Sequence, residues 1–152
     1  MTTTPQKVTG MTANGAASVH DAGVETVDLV LAELARLRQL VSGVQGCVIA
    51  GVDGLLVLHD LDNGPEPHDL AALAAATFGV GRQCGLALRH GPFRESTLRS
   101  HNGYFTVYAI GDTALLAVLG DERLNVARLH LEARLVTAKL AELTNIKVYE
   151  PE

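Results

Sequence analysis

Between Leu70 and Gly81 the chain carries no charged residue, and the segment around this run, HDLAALAAATFGVGRQCGLALRH, reads as one helix over about 67–89. Leu70, Leu73, Thr77, Val80, Cys84 and Leu88 recur at helical spacing and form one stripe. Ala71, Ala75, Phe78, Arg82 and Leu86 form a second stripe beside it. A helix that is apolar on two faces must be covered on two faces. In a small domain a sheet covers one of them. The other needs the first or last helix of the same chain, or a second molecule.

The remaining elements follow from punctuation and periodicity. Val27, Val30 or Leu31, Leu34, Leu37 and Val41 mark an amphipathic helix over 24–42, closed by Gly43. VQGCVIAG and LLVLHD are short apolar runs separated by Val-Asp-Gly, a strong hairpin signal with the turn at Asp53-Gly54. After the middle helix come FRESTLRS (93–100), YFTVYAI (104–110) and TALLAVLG (113–120). Asn102-Gly103 and Gly111-Asp112 turn the chain between them. Asp121 is expected to cap a final helix whose buried stripe is Leu124, Ala127, Leu131, Leu135 and Ala138.

The expected order is therefore α-β-β-α-β-β-β-α. It implies an α/β (α+β) fold, a three-layer α-β-α sandwich around a five-stranded, mainly antiparallel sheet. Residues 1–22, rich in Thr, Ala, Gly and Ser, are expected to be a disordered tail, 23–144 one domain and 145–152 a C-terminal tail.

Several functional classes are disfavoured. The formal charge of −5, with no basic cluster, argues against nucleic acid and against an anionic membrane surface. No signal-peptide pattern is present, and no run is read as a membrane span, so the expected location is the cytoplasm without membrane insertion. Cys47 and Cys84, in apolar surroundings and far apart, read as buried, reduced thiols. The glycines of GCVIAGVDGLLV match neither nucleotide-binding fingerprint. The six histidines lack partners at metal-ligand spacing, and His130 is expected on the solvated side of the last helix. Ser42, Ser96 and Ser100 lie in no nucleophile elbow, and Asp60 and Asp62 read as solvated turn formers. No catalytic, cofactor or metal site is expected.

Two features are left without a purpose inside a monomer: the second apolar face of the middle helix, and FRESTLRS, a sheet edge open to pairing. A symmetric dimer would use both at once. At this point the chain resembles the roadblock family, which includes dynein light chains and bacterial regulators of Ras-like GTPases. The resemblance covers about 24–143 and rests on VQGCVIAGVDGLLV, DLAALAAATFGVG and HNGYFTVYAIGDTALLAVLG. It implies a homodimer in which third strands pair and middle helices pack antiparallel. Mapped here, that interface takes in Ala71, Ala75, Phe78, Arg82, Arg94, Ser96, Leu98 and Ser100.

For the bacterial branch the resemblance implies binding of a small Ras-like GTPase and modulation of its GTP hydrolysis, without an active site in the regulator itself. Arg82, Arg89 and Arg94 are candidate arginine fingers, and the family pattern assigns that role to none of them. An adaptor that assembles other proteins without touching nucleotide turnover is the rival reading. A small-ligand sensor ranks last, because the Ala- and Leu-filled core shows no polar cluster.

Overall fold

The computed structural model describes the backbone of residues 17–149 and the side chains of 23–143. In chain order the elements are α1 (Ala17–Leu40), β1 (Val44–Gly51), β2 (Leu56–Asp60), α2 (Pro67–Ala87), β3 (Glu95–Ser100), β4 (Gly103–Ile110), β5 (Ala114–Asp121) and α3 (Val126–Tyr149). The expected order is found. The strands form one sheet in the order β2-β1-β5-β4-β3, and every neighbouring pair is antiparallel.

The helices divide between the two faces. Leu34, Leu37 and Val41 at the α1 end join Leu129, Ala133, Val136 and Leu140 of α3 over Cys47, Ile49, Tyr108, Leu116 and Val118. On the opposite face Leu70 and Ala74 of α2 pack over Val48, Val107, Leu115 and Ala117. Alternation along β1 and β5 sends successive side chains into different cores, which is why both strands read as unbroken apolar runs. Arg38 donates to Asp60 at 2.8 Å and fastens α1 to β2. Asp60 is therefore a partly buried ion-pair partner rather than a solvated turn former.

Several boundaries differ from expectation. Helix α1 begins at Ala17, inside the segment expected to be a tail, and α3 runs on to Tyr149, into the expected C-terminal tail. Residues 1–16 and 150–152 lie outside the described residues. The first hairpin is joined by Val52–Leu55, with Gly54 at φ 91° and the Leu55 amide donating to the Asp53 carboxylate at 3.1 Å. The β3–β4 connection is His101-Asn102, since Ser100 pairs with Gly103. Gly103 is needed not for the turn but for closeness to β5, where an added Cβ would lie 2.6 Å from the Gly120 carbonyl oxygen. Asp121 accepts from the Arg123 amide, and the cap of α3 is Asn125, whose side-chain oxygen accepts from the Arg128 amide at 3.1 Å.

The last helix also turns a different face inward. Its buried residues are Leu129, Ala133, Val136 and Leu140, with Leu124 buried just before the helix. Leu131 and Leu135, assigned above to the core, are 62% and 65% exposed, and Ala127 and Ala138 are exposed with them. Two apolar stripes run along α3, and periodicity reveals a stripe without saying which one meets the sheet.

Candidate protein-interaction face

Helix α2 meets the sheet through its smallest residues. Leu70, Ala71, Ala74 and Gly85 are buried, and the Phe93 ring occupies the space that a Cβ on Gly81 would need. The Phe78 ring stands edge-on to Phe93, with centroids 5.6 Å apart. Small side chains here let the helix lie close to the strands, as close packing requires. This corrects the stripe chosen from the sequence. Ala71 is fully buried in the monomer, Phe78 packs inward and Ala75 is half-buried near Gly54. Of those four helix residues only Arg82 is exposed.

The open face of α2 is the other stripe. Leu73 is 55% and Val80 67% exposed, and Cys84 and Leu88 continue the line toward the helix end. The Thr77 hydroxyl, between them, donates to the Leu73 carbonyl at 2.9 Å, so it places no unmet demand on a partner. Cys84 is thus an exposed thiol, not the core residue expected, whereas Cys47 is buried and its thiol is pushed up to about 12 by that burial. Although the sequence reading found no run that could span a membrane, α2 is long and apolar enough to do so by length and composition alone; here one side of it packs on the sheet.

Strand β3 lies beside this face at the rim of the sheet and pairs with β4 alone. Leu98 stands opposite Phe105 and Ser96 opposite Val107, which places both on the α2 side. Leu98 is 49% exposed, and Ser100 and Arg94 are exposed as well. The expected strand residues therefore do gather at one open edge.

The other side of β3 is fastened. Arg134 donates to both carboxylate oxygens of Glu95, at 2.8 and 3.2 Å, and this hydrogen bonding holds the Glu95 carboxyl below its usual range. His130 Nδ1 lies 2.7 Å from the Tyr108 hydroxyl, and Nε2 lies 3.3 Å from the Thr97 hydroxyl. His130 is thus a bridging residue between helix and sheet, not a solvated one, and burial raises the Tyr108 hydroxyl pKa. The sequence hid this cluster because its members come from three separate elements. The cavity between α1 and the sheet, about 260 Å³, is lined by Val27, Val30, Ile49, Val57, Ile110 and Leu140 among others. It offers little polar recognition, and it is smaller than the roughly 300–1,000 Å³ of ordinary ligand sites.

Among the described residues, three helices on two sides of a five-stranded antiparallel sheet, with one open rim beside an open helix, define a roadblock-type sandwich. The chain belongs to the Roadblock/LC7 domain family, whose model matches residues 30–120. Among solved structures it is similar to a Roadblock/LC7 domain from Streptomyces avermitilis, at 23% identity and a TM-score of 0.67, over 71% of this chain and 91% of that one. The gliding protein MglB of Thermus thermophilus matches at 17% identity and a TM-score of 0.72, over 78% and 90%. An MglB structure with a tetrameric arrangement reaches 0.75 at 17% identity, over 80% and 92%. An uncharacterized protein of Methanocaldococcus jannaschii, MJ1340, is 23% identical over 75% of this chain and 96% of its own.

Proposed function

We propose that this protein is a homodimeric, non-catalytic regulator that docks a small Ras-like GTPase on the α2 side and modulates its GTP hydrolysis. One observation carries the reading: an unpaired sheet rim and an unpartnered apolar helix stripe lie together on the same side of the sheet. Edge pairing of two β3 strands would satisfy the rim, and it would bring the two α2 stripes together about the same two-fold axis. The resemblance to the bacterial branch supports a GTPase as the partner. In this reading the protein works in the cytoplasm, and its domain extends over 23–144.

The test is GTP hydrolysis by a small Ras-like GTPase from the same genome, with and without this protein. Faster hydrolysis that is lost in Val80→Glu supports the regulator. Binding without acceleration makes the protein an adaptor. Absence of binding to the GTP form removes the GTPase from the reading.

A further inference from the structure

Helix α2 closes on an arginine where a helix normally places glycine. The His90 amide donates to the Gly85 carbonyl at 2.8 Å and the Arg89 amide to the Leu86 carbonyl at 3.3 Å, a paired closure that needs a left-handed residue at position 89. Arg89 supplies it at φ 59°, whereas every other positive φ among the described residues belongs to a glycine. A side chain in that conformation crowds its own backbone, so the turn by itself favours glycine. Nothing inside the molecule offsets the exception. Arg89 is exposed, and of the described arginines and lysines only Arg82, Arg89 and Arg94 have side chains that meet neither a carboxylate nor a ring. From Leu70 to Gly111 the only acid is Glu95, which Arg134 already holds, so this end of an otherwise acidic chain is locally basic.

Arg82 and Leu86 stand one turn apart, both exposed, and Arg89 follows them at the helix end. Positions 80 and 82 differ by about 200° around a helix of 3.6 residues per turn, so this flank points away from the Val80 and Cys84 stripe. It stays open when two uncharged stripes meet. We infer that the Arg82–Leu86–Arg89 flank is where α2 recognises its partner, and that it takes an acidic protein surface. Carboxylates would meet the two guanidinium forks, and an apolar group would cover Leu86, which is 61% exposed. Arginine around an apolar spot is the make-up of a protein contact, whereas an anionic membrane calls for about four to eight clustered basic residues. The inference rests on the α2 side being the docking side; it adds which flank docks and the charge of what docks there.

Two probes, each titrated into the full chain and followed by NMR, separate this inference from that reading. One is a GTP-loaded small Ras-like GTPase from the same genome. The other is a synthetic peptide of glutamate and leucine, with a lysine-and-leucine peptide as its control. The glutamate peptide is expected to shift the amides of Arg82–His90, and the lysine peptide is not. Arg82→Gln and Arg89→Gly should each weaken GTPase binding about two- to fivefold, with a smaller loss at high salt. Arg89→Gly should at the same time raise the urea midpoint, because glycine relieves the left-handed residue. A lowered midpoint would show that Arg89 serves the fold and would overturn the inference. An equal response to the lysine peptide overturns it too, as does tighter binding to phosphatidylglycerol vesicles than to the glutamate peptide. Arginine-dependent peptide binding without any GTPase binding keeps the site and removes the GTPase. GTPase binding that ignores both substitutions overturns the site and leaves the GTPase reading standing. Absence of binding by both probes overturns both.

Discussion

Arg134 on α3 holds Glu95 on β3 through two hydrogen bonds of 2.8 and 3.2 Å, so the last helix and the rim strand are joined by an ion pair rather than by an apolar core. Because the folded carboxyl lies below its usual range, the pair contributes stability above the unfolded Glu value of about 4.3 and loses it as pH falls through the folded value. Thermal unfolding of wild type and Glu95→Gln should therefore differ near neutrality and converge as pH falls below the folded Glu95 value. A difference that stays constant through the acid range would remove the carboxylate charge as the cause.

Ala71 and Val80 occupy the same helix and predict opposite outcomes. Ala71→Glu would bury a charge against the sheet, and it should cost roughly 3 kcal/mol or more, or prevent folding. Val80→Glu should leave urea unfolding of the isolated chain within about 0.5 kcal/mol, while lowering the sedimenting mass. If both variants fold and associate alike, the assignment of the two stripes is wrong.

The Tyr108 hydroxyl is anchored by His130 Nδ1 at 2.7 Å. Tyr108→Phe keeps the ring and removes that bond, with an expected loss of about 0.5–1.5 kcal/mol in denaturant unfolding. A smaller effect in the His130→Ala background would show that the two residues act as a pair.

Thiol chemistry separates the two cysteines. Cys84 should react with a thiol reagent in the native protein, whereas Cys47, buried and shifted up to about 12, should react only on unfolding. If α2 is a dimer face, Cys84 in Val80→Glu should label faster than in wild type. Identical labelling rates at concentrations where wild type is dimeric would place Cys84 outside the contact.

The element order was legible because each strand boundary carries its own chemical mark: Gly43, Asp53-Gly54, Asn102 and Gly111 interrupt runs that are otherwise apolar. The rotational setting of the helices was not legible. In α3, Leu131 and Leu135 are as apolar as Leu129 and Leu140, and only the sheet beneath decides which pair is buried. In α2 the alanines were read as room for another helix, while their smallness serves the close approach to β1 and β5. Glu95, His130 and Arg134 carried no signal of their own, because their partners are set by the pairing of β3 with β4 and the placement of α3 above it.

The rim position of β3 has a consequence for how such a molecule is made. Its inward edge is already bonded to β4, and its α3 side is already clamped through Glu95, so a strand added at the outer edge would replace no existing bond. A second chain joined there, as proposed, would lengthen the sheet without reopening it, so that assembly would not have to undo what folding had made.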